Sequence, residues 1–145
     1  MSRSDGYTGR LFEEEVLLRC HFAWKGYVPF RQSVRLVEAN QPWDPTDPST
    51  RGASDLHTQV AMALELEDWS ELRLFSALRT PLDVFHGIDA FFEWKGRVVT
   101  LDLTCNRKKD GYKADLMIRP EDSDDDWSRL GHSIAALLQR GAFAA

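Results

Sequence analysis

Two aspartates face each other if residues 88–104 form a hairpin. Ile88–Trp94 and Arg97–Thr104 are rich in β-branched and aromatic residues, and Lys95-Gly96 between them suits a two-residue turn. Pairing Trp94 with Arg97 places Glu93 against Val98, Phe91 against Thr100 and Asp89 against Asp102. Directly opposed residues have Cβ atoms about 4.5–5.5 Å apart, close enough for two carboxylates to share a proton or a cation. Hard oxygen donors of this kind suit Mg²⁺ or Mn²⁺, which fill their remaining positions with water and phosphate oxygens. Ile88, Ala90, Phe92 and Trp94, with Val99, Leu101 and Leu103, form a uniformly apolar opposite face that must point into the core. Parity then leaves both aspartates on the other face. The plain alternative is a solvated polar face with both acids in water.

A third strand, Tyr112–Ile118, adds to this. Its apolar set is Tyr112, Ala114, Leu116 and Ile118, and its alternate set Lys113, Asp115, Met117 and Arg119. Antiparallel pairing beside Arg97–Thr104 puts Lys113 near Thr104, so that Asp89, Asp102, Asp115 and Lys113 gather on one face. The alternative is a lysine paired with nearby acids on a surface sheet. Asn106-Arg107-Lys108-Lys109, the densest basic run of the chain, lies in the connection and is the natural contact for a phosphate backbone.

The elements that must position these residues read as follows. Thr8–Lys25 has Phe12, Val16, Cys20, Ala23 and Trp24 at helical spacing, with Gly26 as its stop. Tyr27–Val37 alternates as a strand, with Pro29 holding it to an edge. Ala39–Ser54, with Pro42, Pro45 and Pro48, reads as a long mobile loop, and Trp43 as its anchor on the body. Asp55 caps a helix carrying Leu56, Val60, Ala63 and Leu64. Trp69, Leu72, Phe75 and Leu78 line a second helix that ends before Pro81. Glu121–Asp126 is an acidic loop, and Ser128–Arg140 a final helix. The fold class is α+β (mixed α/β), a small mixed sheet flanked by helices, in one domain over 1–145 with an inserted loop and helical segment at about 39–85.

Composition limits the partners. The chain has 145 residues, 43% of them apolar and 28% charged, and a net charge of −5, which suits a globular domain and argues against coating nucleic acid by bulk charge. No apolar run is long enough to span a membrane, and the first residues carry no secretion segment. Two cysteines, Cys20 and Cys105, are too few for a disulfide scaffold, so free thiols and a cytoplasmic location are expected. His21, His57, His86 and His132 show no ligand spacing, and only His86 lies near an acid of the hairpin.

Gly87-Ile88-Asp89, followed by Val98-Val99-Thr100-Leu101-Asp102-Leu103-Thr104, resembles the PD-(D/E)XK nuclease superfamily. Its members carry an Asp at the start of one strand, then a hairpin, then an acid-x-Lys triplet. Gly9-Arg10-Leu11-Phe12-Glu13 is similar to that family's first helix, which often offers a Glu to the metal, and Lys25-Gly26-Tyr27-Val28 to its lead into a strand. The resemblance spans about half the chain and implies a restriction-endonuclease-like core. It makes Asp89 and Asp102 ligands of Mg²⁺ or Mn²⁺, and Glu13 an auxiliary ligand or water-orienting acid. The chain departs from the pattern twice. Thr104 stands where the Lys belongs, and 105–111 is too short for the family's crossover helix.

The expected function is therefore a metal-dependent nuclease acting on phosphodiesters, DNA before RNA. Asp89, Asp102 and Glu13 would serve catalysis, with a migrated lysine supplied by Lys113 ahead of Lys108. Thr104, Asn106, Arg107 and Lys109 would contact the substrate. A catalytically inactive nuclease-like module that binds nucleic acid or a protein partner is the alternative, and a plain interaction domain the third reading. No membrane is expected as partner, and a homodimer is left open.

Overall fold

The hairpin sets the frame. Lys95 and Gly96 both take positive φ, 53° and 76°, the geometry of a tight two-residue turn. In the computed structural model, which describes residues 9–104, 113–120 and 127–140, this turn joins β2 (Ala90–Trp94) to β3 (Arg97–Leu103). The antiparallel register runs from Trp94↔Arg97 through Phe91↔Thr100 to Ala90↔Leu101, as the turn requires. β1 (Arg73–Ser76) adds antiparallel to β2, and β4 (Leu116–Ile118) adds parallel to β3, giving the order β1-β2-β3-β4.

Among the described residues, five α-helices surround this sheet: α1 (Gly9–Val16), α2 (Phe30–Ala39), α3 (Arg51–Ala63), α4 (Pro81–His86) and α5 (Ser128–Arg140). The fold is α+β, with a small mixed sheet flanked by helices. Ala90, Phe92, Trp94, Val99, Leu101 and Leu103 pack one sheet face against Phe12 and Val16 of α1, Leu56 and Val60 of α3, and Leu130, Ile134 and Leu138 of α5. The second face is covered too. Phe75, Phe91 and Val98 bury against Val34 and Val37 of α2 and Leu82 of α4. Ile88 belongs to this second face, not the first, because the regular ladder stops at Ala90.

Several local expectations are corrected. The helix expected over Thr8–Lys25 ends at Val16. Beyond it the chain is held by long-range bonds, such as the Cys20 amide donating to the Leu78 carbonyl at 3.1 Å. The strand expected over Tyr27–Val37 is mostly helix. Phe30, Val34 and Val37 recur at i, i+4 and i+7 and share one buried stripe, while Pro29 sits at the N-cap, where its missing N–H costs nothing. Asp55 lies inside α3, whose cap is Thr50, accepting from the Ala53 amide. The loop expected to reach Ser54 therefore ends before Arg51. The helix expected over Trp69–Leu78 is a 3₁₀ turn (Trp69–Glu71) followed by β1, because Leu74 and Phe75 face opposite sides of a doubly covered sheet. Trp43 is buried and its Nε1 donates to the Leu74 carbonyl at 2.9 Å, so it does anchor its segment.

β4 runs parallel to β3, not antiparallel. Its parity is as expected, since Leu116 and Ile118 share the face of Leu101 and Leu103, but its direction is reversed. The Asp115 carboxylate starts the pairing by accepting from the Thr100 amide at 2.9 Å and the Thr100 hydroxyl at 3.0 Å.

α3 and α5 cross closely. A Cβ on Gly131 would lie 2.7 Å from Cβ and 2.9 Å from the backbone carbon of Gln59. Arg97 Nη1 donates to the Leu138 and Gln139 carbonyls, meeting orphan acceptors at the end of α5. Gly131→Ala gains helix propensity but forces the two backbones apart. It should lower stability by about 1–3 kcal/mol, read as a fall in the thermal midpoint, and an unchanged or raised midpoint would contradict the close crossing.

Candidate acidic site

Three elements bring carboxylates to one end of the sheet. α4 begins at Pro81, with the Thr80 hydroxyl accepting from the Leu82 amide at 3.2 Å, and ends at Gly87, whose φ of 68° favours glycine. This short helix sets Asp83 near its start and returns the chain to the sheet at Asp89. The Asp89 amide donates to the Leu101 carbonyl at 2.9 Å, and the Asp89 carbonyl accepts from Ala77 at 2.8 Å. Its side chain turns back along β3, where Oδ2 accepts from the Leu103 amide at 2.8 Å. From the other face, α1 offers Glu13, fixed between buried Phe12 and Val16.

The carboxylate oxygens of Glu13, Asp83 and Asp89 lie within 4.8 Å of one another. Asp89 is 2% exposed and Asp102 4%, whereas Glu13 and Asp83 are half-buried. Burial pushes the Asp89 carboxyl up to about 10, with the charges of Asp83 and Glu13 and a hydrogen bond to Asp83 acting in the same direction, against the Leu103 amide. Burial and the Asp83 charge also raise Glu13, opposed by the Arg79 guanidinium and a hydrogen bond with Asp89, while Asp102 adds to the rise. Asp83 Oδ2 in turn accepts from the Arg79 amide at 2.9 Å. Asp89 is thus the centre of a hydrogen-bonded row, its carboxyl raised first by burial and then by the carboxylates around it.

Chemically, this is a compact set of hard oxygen donors with one proton to give up. The hairpin brings Asp102 near Glu13 electrostatically, but the regular ladder ends one step short of an Asp89↔Asp102 pair. Thr104, two residues on, is buried, and its amide donates to the Ile118 carbonyl at 2.8 Å. Lys113 is corrected. The parallel register carries the chain before Leu116 away from Thr104, so exposed Lys113 lies toward Thr100, in a cleft with Asp115 and His86. Asp115 likewise belongs to Thr100 rather than to the acid cluster. Asn106, Arg107, Lys108 and Lys109 lie outside the described residues, as does Cys105. His86 donates from Nε2 to the Val28 carbonyl at 2.8 Å, since a carbonyl can only accept. Buried His57 meets the Leu72 carbonyl, also a structural role.

Asp83 is the residue that sequence reasoning missed. The signal for it is Thr80-Pro81-Leu82-Asp83, a helix start with an acid at its third position, followed by Gly87 as a stop.

Comparison with family models, curated proteins and solved structures finds no match to the chain.

A raised carboxyl means that the folded state binds a proton the unfolded chain has lost, so its stabilising share is present at low pH and fades as pH rises toward 10. His57, lowered by burial, works in the opposite direction below its ordinary value, and Cys20, raised to about 12 by burial, matters only above 9. Between pH 7 and 8.5, without divalent ions, stability should fall by up to about 1.4 kcal/mol per pH unit. Asp89→Asn, which can still accept from Leu103, should flatten that slope and stabilise the protein at pH 8 by roughly 1–3 kcal/mol. Denaturant titrations at several pH values check both, and an equally steep slope in the variant would place the proton elsewhere.

Proposed function

We propose that this chain is a metal-dependent nuclease of the PD-(D/E)XK type, hydrolysing phosphodiester bonds with Mg²⁺ or Mn²⁺, in DNA before RNA. The observation that carries the reading is the meeting of Glu13, from the first helix, with Asp89, from the start of the second strand, at a shared acidic site. The resemblance in sequence concerns those same positions, together with Asp102 on the following strand. The donor set fits a hard divalent ion: three carboxylates converge, and the most buried one is short of countercharge. A bound ion supplies Lewis acidity and an activated water.

The residues of the chain divide the remaining work. Asp89 and Glu13 hold the ion, joined by Asp83 or Asp102. The Leu103 amide keeps Asp89 oriented through its Oδ2. Asp89 and Glu13 would have to be ionised to hold such an ion, so affinity for it would rise with pH. Thr104 offers a hydroxyl near Asp102 in place of a charge. Asn106, Arg107, Lys108 and Lys109 remain the proposed phosphate contacts, with Lys108 now ahead of Lys113 as the source of a catalytic cation. A cytoplasmic location goes with this reading, and among the described residues no helix is long and apolar enough to cross a membrane. A homodimer remains open.

Thr104 favours a second reading, a nuclease-like module that binds nucleic acid or a protein partner without cutting. Incubation of plasmid, linear and branched DNA with Mg²⁺ or Mn²⁺, beside Asp102→Ala, separates the two. Cleavage lost in the variant supports the enzyme, and intact DNA throughout supports the binding module. Independently, Mn²⁺ at 100 times its Kd should stabilise the protein by about 2.7 kcal/mol, and the paired change Glu13→Gln with Asp89→Asn should abolish that gain. Equal stabilisation of both proteins would remove the metal site.

A further inference from the structure

Beside the acid cluster, on the face covered by α2 and α4, lies a cleft of about 290 Å³ that the metal reading does not use. Ile88 forms part of its wall and is the neighbour of Asp89 in sequence. Thr100 lies two residues before Asp102 on β3, so the two side chains point to the same side of the sheet. His86 lies three residues after Asp83 on α4, nearly one turn away. The cleft therefore adjoins the carboxylates through three separate elements.

The lining is unusual for a surface depression. Phe30 meets the His86 ring edge-on at 5.5 Å between centroids, and Tyr27 lies 5.7 Å from the same imidazole on the outer side. Tyr27 is 67% exposed and rests on Phe85 at 5.3 Å. His86 is fixed by its bond to the Val28 carbonyl, so it braces a row of mutually tilted rings. Lys113 and Asp115 also line the cleft, and the Asp115 Oδ2 is already engaged by Thr100.

Aromatic rings, a cation and a carboxylate acceptor match the three parts of a nucleotide: a π face, a phosphate, and ring amino groups. A volume near 290 Å³ is at the low end of sites for small ligands, right for one base with part of its sugar. Paired bases in a duplex hide their faces by stacking and cannot lay them on an aromatic side chain, whereas unpaired ones can.

We propose that this cleft holds an unpaired nucleobase against Phe30 and His86, with exposed Tyr27 beside the His86 ring at its rim and Lys113 on the adjoining phosphate, so that the substrate is single-stranded or splayed nucleic acid. The proposal rests on the nuclease reading and deepens it. It places an unstacked nucleotide next to the carboxylates and gives Lys113 a binding role suited to its place near Thr100 rather than Thr104.

The test is anisotropy of labelled oligonucleotides in metal-free buffer, where no cleavage occurs. Single-stranded DNA, RNA of the same sequence, and the DNA duplex are compared. Either single strand should bind about tenfold tighter than duplex, and Tyr27→Ala should lose about tenfold in affinity while Tyr27→Phe keeps it. Lys113→Ala should reduce the salt slope by about one. Duplex bound as tightly as both single strands, or Tyr27→Ala bound like wild type, overturns the proposal. A parallel cleavage assay with Mn²⁺ separates this failure from that of the nuclease reading. Tyr27-dependent single-strand binding without cleavage keeps the cleft and removes the enzyme. Duplex cutting that is unchanged in Tyr27→Ala keeps the enzyme and removes the cleft.

Discussion

The Asp89 carboxylate occupies a place where a backbone carbonyl would otherwise continue the ladder between β2 and β3. By accepting from the Leu103 amide it satisfies a donor that the sheet would leave orphaned, and it carries a carboxyl into the interior as the means of doing so. The strand pairing ends at Ala90, Ile88 turns to the opposite face, and the chain leads back to α4. A hydrocarbon side chain here would leave the Leu103 amide without that partner, and one without a charge-bearing group would lose the chemistry.

Burial on both faces makes this end of the sheet a low-dielectric site. α1 packs on one face and α4 on the other, and Glu13 and Asp83 from these two helices meet Asp89 with their carboxylate oxygens within 4.8 Å of one another. Mutual repulsion among buried carboxylates opposes folding, and it is offset by the Leu103 amide at Asp89 and the Arg79 guanidinium near Glu13. Strongly shifted carboxyls of this kind concentrate where a protein handles protons or cations.

Much of this was legible in the residues. Lys95-Gly96 dictated the turn, and the turn dictated five cross-strand pairs. The helix at Ser128–Arg140 stood out through Leu130, Ile134 and Leu138, and Glu13 and Asp89 were marked by their neighbours in sequence. The errors have specific causes. Alternation at Val28, Phe30, Gln32 and Val34 imitates a strand, but Phe30, Val34 and Val37 also fit a helical stripe, and only the packing partner on the sheet decides between them. Trp69, Leu72 and Phe75 imitate a helix because β1, covered on both faces, lacks polar alternation. The direction of β4 depends on the connection before it, which parity does not encode. Asp83 escaped notice because its six-residue helix is too short to show a period.

The outer edge of β1 is closed by side chains and backbone from the preceding segment. The Leu74 amide donates to the Pro45 carbonyl, Trp43 donates to the Leu74 carbonyl, and the Gln41 amide group both gives to and receives from Ser76. These bonds occupy the groups through which a strand of another molecule would add. The proline-rich stretch, which looks expendable on paper, thus closes this edge of the sheet. Trimming it to tidy the chain for crystallisation would open an apolar strand to its neighbours and trade a floppy-looking loop for a sticky sheet.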